Sequence, residues 1–209
     1  VSFLYLDKNH IKEINENVFF NRFDLRALNL SDNHIESISS NFYNSNDTSF
    51  NEKSKLEILD LRNNKIRNIY FISNQYLRKL MYLDLSYNFI EHINKISFKS
   101  LIYLVSLDLS NNNIHSFETS AFILPSLKYL MIKNQNFNYT FTLEFRDFSS
   151  NLILLDLSNN RVNNIKIRKL SKLKHLKIRN FKIESFDIII NNLIDTVEYL
   201  DLSYNNFNN

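Results

Sequence analysis

Residues 80–104 read LMYLDLSYNFIEHINKISFKSLIYL, and this stretch decides the fold. Leu80, Leu83 and Leu85 stand three and two residues apart. Asn88 follows, then Ile90 and Ile93, then Phe98, Leu101 and the next Leu104. Apolar and polar residues alternate around Leu83, the pattern of a short strand with one buried face. Ile90 and Ile93 leave that period, so the chain has turned and returns with a second apolar surface. A unit this small cannot bury either surface alone and needs a copy of itself alongside.

The copies are in the chain. The phrase restarts at Val1, Leu25, Leu56, Leu80, Leu104, Leu127, Leu152, Leu173 and Val197. Its fourth residue is leucine each time: Leu4, Leu28, Leu59, Leu83, Leu107, Leu130, Leu155, Leu176 and Leu200. Leucine makes up only 30 of the 209 residues, far too few for this column to arise by chance. The ninth residue is asparagine at Asn9, Asn33, Asn64, Asn88, Asn112, Asn160 and Asn205. A buried amide both donates and accepts, so this column reads as a structural ladder that satisfies backbone groups at the turn. The ladder breaks at Gln135 and Phe181. Asn180 stands one place early, as though a residue were missing, and a local irregularity is expected there.

Over essentially its whole length this wording resembles the leucine-rich-repeat family. The resemblance implies an α/β-type solenoid shaped as a curved horseshoe. One parallel concave sheet of about nine short strands lines it, with loops and short helical turns on the convex side. Residues 1–209 then form a single leucine-rich-repeat domain. The 24-residue beat with Phe19, Phe98 and Phe122 near its end resembles the typical extracellular repeats of Toll-type receptors and chaoptin-like adhesion proteins. That implies a non-enzymatic scaffold in the ectodomain of a cell-surface receptor or adhesion protein, engaging a protein ligand or a partner receptor. The alternative is an intracellular, cytoplasmic scaffold or regulatory subunit linked to a catalytic domain elsewhere.

Two irregularities mark the organisation. Residues 39–55, SSNFYNSNDTSFNEKSK, hold an insertion in the second repeat, expected to bulge as a polar loop from the rim or convex side. The seventh repeat is short. Val1 opens inside a strand phrase and Asn209 follows one, so the ends read as those of an uncapped fragment.

Composition narrows the chemistry. Glycine and cysteine are absent and the net charge is +3. A glycine-rich phosphate loop, disulfides and thiolate catalysis are therefore excluded within these residues. The charge gives no reason to expect nucleic acid, and no apolar run is long enough to span a membrane. No cofactor is expected. His10 and His34, one repeat apart, form a conceivable metal pair. Lys65, Phe89, Asn113 and Arg161 fill the same column elsewhere, however, and the column reads as solvated surface, with no metal.

The outward columns of the strands are more informative. The third position runs Phe3, Ala27, Ile58, Tyr82, Ser106, Tyr129, Leu154, His175 and Tyr199. Large rings on a solvated sheet face read either as interface anchors or as cross-strand packing. The fifth position carries Asp60, Asp84, Asp108, Asp156 and Asp201: an acidic stripe for a cationic partner or a cation site, or simply the family's L-D-L-S wording. Residues 161–182 hold nine basic residues and no acid, which leaves the rest of the chain net negative. This block offers contact to an anionic partner. Tyr82, Asp84, Asp108, Tyr129, His175, Lys177, Arg179 and Tyr199 are the candidate partner-binding residues. Asn29, Asn46 and Asn138 open N-x-S/T sequons, with Asn46 and Asn138 taken as glycosylation candidates. With 34 asparagines in the chain, three sequons are no excess.

Overall fold

The structure, a computed structural model, describes residues 1–19, 22, 24–43, 54–135, 137, 142–145, 151–160, 164–167, 170–182 and 196–207. Side chains of 116, 119, 142–145 and 164–167 lie outside the description. Each column leucine sits at the centre of its own short strand. The strands are Phe3–Tyr5, Ala27–Asn29, Ile58–Asp60, Tyr82–Asp84, Ser106–Asp108, Tyr129–Met131, Leu154–Asp156, His175–Lys177 and Tyr199–Asp201. They form one nine-stranded parallel sheet in chain order. Every neighbouring pair aligns leucine with leucine, as in Leu83↔Leu107 and Leu155↔Leu176. A slip of one residue would turn this column to solvent, so burial fixes the register. Leu28, Leu59, Leu83, Leu107, Leu130, Leu155 and Leu176 are all buried. In the outermost strands Leu4 is half-buried, and Leu200 is 42% exposed.

The returning segment supplies the other wall of the core. Ile35, Ile66, Ile90 and Ile114 at the eleventh position are buried, as are Ile14, Ile69, Ile93 and Phe117 at the fourteenth. Behind them the phenylalanine rings touch from repeat to repeat. Phe98 and Phe122 stack with centroids 6.0 Å apart, and Phe42 meets Phe71 edge-on at 6.0 Å. Short 3₁₀ helices, Tyr70–Ser73, Gln75–Leu77 and Thr119–Phe122, carry this return. Two-stranded parallel pairs join Glu13–Ile14 to Ser37–Ile38, His92–Ile93 to Ser116–Phe117, and Thr142–Phe145 to Asn164–Ile167. Alternation in the sequence does not announce these pairs. They form because stacking brings equivalent backbone segments into register.

The span 39–55 enters the core at both described ends. Phe42, Tyr43 and Ser54 are fully buried. The Tyr43 hydroxyl donates to the Arg22 carbonyl at 2.8 Å, and the Ser54 hydroxyl to the Tyr76 carbonyl at 2.9 Å. Burial, tempered by a hydrogen bond with Ser54, pushes the Tyr43 phenol up to about 12. The insertion thus has apolar roots; residues 44–53 lie outside the described residues.

Candidate functional site

A binding face needs a rigid frame, and the frame here is built at the edge where the strands end. The eighth residue of every repeat is left-handed: Lys8, Asp32, Asn63, Tyr87, Asn111, Asn134, Asn159, Asn180 and Tyr204 have φ between 50 and 60°. Glycine usually fills such positions, and asparagine is among the side chains that best tolerate them. Asn180 belongs to this column. Its N–H donates to the Ser203 carbonyl at 2.9 Å, as the Asn159 N–H donates to the Arg179 carbonyl at 2.8 Å. Asn180 therefore keeps its place in the column, and the local irregularity expected here appears two residues on, where Lys182 has φ of 64°, a left-handed angle seen at the tenth position of no other repeat among the described residues. Exposed amides also link along the column, from Asn134 to Asn111 at 2.7 Å and from Asn180 to Asn159 at 3.2 Å.

One residue further on lies the buried amide column. The Asn112 side-chain NH₂ donates to the carbonyls of Leu85, Leu109 and Ser110 at 3.0, 2.9 and 3.4 Å. Its oxygen accepts from the Ile90 N–H at 2.9 Å. Asn33, Asn64 and Asn88 repeat the arrangement, each bonding to the preceding repeat. Asn9 bonds within its own turn, to Leu6 and Asp7. The expected break at Gln135 does not occur. The Gln135 amide donates to the Leu109 and Lys133 carbonyls at 2.7 and 2.9 Å, and accepts from the Ile114 N–H at 3.3 Å. Phe181 does interrupt the column, with its ring buried. Where position nine is Gln135 or Phe181, the next amide accepts from that residue's own N–H: Asn160 at 2.8 Å and Asn205 at 2.9 Å.

The acidic stripe has a structural task as well. The carboxylates of Asp60, Asp84, Asp108, Asp156 and Asp201 each accept from the N–H two residues on, at 2.8–3.1 Å. These bonds satisfy the backbone as it leaves the strand. Burial first, and then the neighbouring Asp84, raise the carboxyls of Asp60 and Asp108 above their ordinary value, partly offset by those hydrogen bonds. Asp201 sits low, because Ser203 bonds to it and Arg179 and Lys177 lie nearby.

The outward residues fall into two groups. In the centre, Tyr82 and Tyr129 both pair with Ser106 and therefore flank a small residue. They are 46% and 38% exposed, about 10 Å apart across two strand spacings. Asp84 and Asp108 lie half-buried beside them, in register. At the C-terminal end, Tyr199 is 47% exposed and its ring lies 6.0 Å from that of His175. The Lys177 ammonium lies over the Tyr199 ring at 5.8 Å, and the Arg179 guanidinium over the Tyr204 ring at 4.3 Å. These cations are steadied by aromatic faces. Lys174 pairs with Glu198 at 2.7 Å. Arg161, Arg168 and Lys169 of the basic block lie outside the described residues, as do Asn46 and Asn138. The exposed His10 and His34 rings are 5.5 Å apart. Among the described residues no three His, Cys, Asp or Glu groups are placed to hold a metal. No helix of the described residues is long and apolar enough to cross a membrane.

Comparison with known proteins places this geometry. Family models for the leucine rich repeat match residues 24–45, 54–114 and 78–137. No curated protein matches the sequence. The leucine-rich repeat domain of APL1B superposes with a TM-score of 0.76 at 22% identity, covering 98% of this chain and 57% of that one. TLR13 in its complex with ssRNA13 gives 0.83 at 25% identity, covering 100% of this chain and 29% of that one. Toll from the Drosophila Toll–Spatzle complex gives 0.72 at 19% identity, covering 97% and 31%. The chain thus spans little more than half the length of the first of these and about a third of the other two.

Proposed function

The chain belongs to the leucine-rich-repeat family, and on that premise we propose that it is a non-enzymatic recognition module whose outward sheet face binds a protein. The observation that carries this is Tyr82 and Tyr129, two exposed rings either side of Ser106 on a sheet whose backbone is fixed by the buried amides. A tyrosine offers a large apolar area with a polar tip at small entropic cost, which suits an interface anchor. Lys177 and Arg179, held on aromatic faces, add a basic contact for an anionic patch of the same partner. Protein is preferred over RNA, although TLR13 was solved with ssRNA13. The carboxylates of Asp60, Asp84 and Asp108 cross the middle of the face, where they would repel a phosphate backbone. The module belongs to a receptor or adhesion ectodomain at the cell surface; the Toll-like neighbours and the 24-residue repeats support that placement.

The test is site-specific crosslinking in the cells that make the protein. A photoreactive residue at position 82 or 129 should capture one distinct polypeptide; at the convex Tyr70 it should not. Protease added outside intact cells should destroy the native protein. Capture of RNA, or equal capture from position 70, would overturn the face, and resistance to the protease would overturn the location.

A further inference from the structure

The leading edge of the sheet, where the strands begin, carries a groove of about 580 Å³. It is formed by the residues on either side of each repeat's first leucine. Met81, Tyr103, Val105 and Pro125 give it an apolar lining, and Lys79 and Lys128 stand at its margin. Met81 and Tyr103 are exposed to solvent. The first leucines, Leu80, Leu104 and Leu127, are fully buried, so the residues flanking them are directed outward together.

The backbone that follows the first leucines at this edge is already hydrogen-bonded from repeat to repeat. The Met81 carbonyl accepts from Val105 and Ser106 N–H at 2.8 and 3.0 Å, and the Val105 carbonyl from Lys128 and Tyr129 N–H at 2.9 and 3.0 Å. At Met81 and Val105 a ligand therefore meets side chains rather than open strand backbone. The polar lining is engaged too. The Ser126 hydroxyl donates to the Ile102 carbonyl at 2.9 Å, and the Asn151 amide donates to the Pro125 carbonyl at 2.7 Å. What the groove offers is apolar surface with basic margins. Lys172 adds a third cation, bonded to Asn151 at 2.7 Å. The one acid in the lining, Glu57, faces Arg26 at 3.7 Å. Lys79 and Lys128 lie outside residues 161–182, in the part of the chain that is net negative, whereas Lys172 belongs to that basic block.

We propose that this groove holds an extended acidic and apolar segment of the protein partner: apolar side chains over Met81 and Val105, flanking carboxylates at Lys79 and Lys128. From Glu57 to Asn151 the groove crosses about four strand spacings, roughly 19 Å, the length of about six extended residues. The inference rests on the recognition-module reading and gives that partner's segment its chemistry. It also places a second contact around the sheet edge from Tyr82 and Tyr129, each of which directly follows a groove residue.

The experiment is selection of displayed random octapeptides on the intact chain, followed by affinity measurement of the winners. Peptides joining leucine or phenylalanine to glutamate or aspartate should be enriched. Lys128→Glu, an exposed change, should weaken them by about tenfold or more and invert the charge preference. Val105→Asp should abolish binding, with a thermal melt confirming that it folds; Tyr70→Ala, exposed on the returning segment, should leave it unchanged. No enrichment, or enrichment of basic peptides, would overturn the proposal. So would winners that ignore Lys128→Glu but are lost in Tyr82→Ala, an outcome that leaves the sheet-face reading standing. Preference for anionic phospholipid vesicles over every peptide would identify a lipid surface instead and also overturn it.

Discussion

Repeats starting at Leu56, Leu80 and Leu104 differ from those starting at Leu127 and Leu173 in their closing turns. In the first group the ninth residue is always asparagine, and its amide ties the turn to the preceding repeat. In the second the same place holds Gln135 and Phe181. The sheet does not notice: Leu107, Leu130 and Leu176 are equally buried and equally in register. The inward leucines and the left-handed eighth residue therefore define the repeat. The amide ladder is negotiable provided each turn's N–H groups find an acceptor, which Asn160 and Asn205 supply by moving their bond to position nine.

The strongest way to break this comparison is to empty position nine. Phe181→Ala should cost about 3–5 kcal/mol, because a buried ring is removed. Leu107→Ala should cost about 2–5 kcal/mol, and Leu176→Ala the same, since the core is common to both groups. Denaturant melts that showed Leu176→Ala to be harmless would mean that the second group is not packed like the first.

Asn112→Ala removes an amide but little volume, leaving three carbonyls and one N–H with a lost partner. A loss of about 1–3 kcal/mol is expected in the same melts. Gln135→Asn should change stability by less than about 1 kcal/mol, because either amide reaches the same carbonyls. A larger penalty there would show that the turn after Leu127 is built around the longer side chain.

A smaller effect of opposite sign is expected at Tyr87, where a bulky exposed residue has φ of 55°. Tyr87→Gly should raise the melting midpoint, a gain of up to about 1 kcal/mol, while Asn111→Gly in the same column should be nearly neutral. Smallest of all is the acidic stripe. The Asp108 carboxyl is raised in the folded state, chiefly by burial. The folded protein therefore keeps that proton to higher pH than the unfolded chain does. Its contribution favours folding below the ordinary carboxylate range and fades as pH rises through the raised value. Asp108→Asn retains an acceptor for the Ser110 N–H. It should match or exceed the native chain by under about 1 kcal/mol near pH 7, and lose that advantage near pH 3.

Much of this was legible in the sequence. Nine leucines at the fourth position gave strand number, direction and register, because one period controls all three. The tyrosines at 82 and 129 were placed by the same count. The rest depends on geometry that a residue name does not carry. Asn180 looks misplaced when columns are matched by identity, and falls into line only once its φ is known. Gln135 looks like a break because amide length, not amide type, differs. The aspartates look like a charged surface until their carboxylates are seen against the N–H groups two residues on. The groove follows no fixed letter at all; Lys79, Tyr103 and Ser126 share a position but not a chemistry.

The left-handed column has one more consequence, for the gene rather than the protein. Nine tight turns would ordinarily call for glycine, whose codons begin with two guanines. Here asparagine, aspartate, lysine and tyrosine make every one of them. Except for aspartate's initial guanine, their codons begin with adenine or thymine and continue with adenine. The inward leucines and isoleucines can likewise be spelled with few G or C bases. A coding sequence drifting toward A and T could thus lose every glycine and still specify the same coil, since the fold asks for a backbone angle and leaves the choice of residue to whatever the genome supplies.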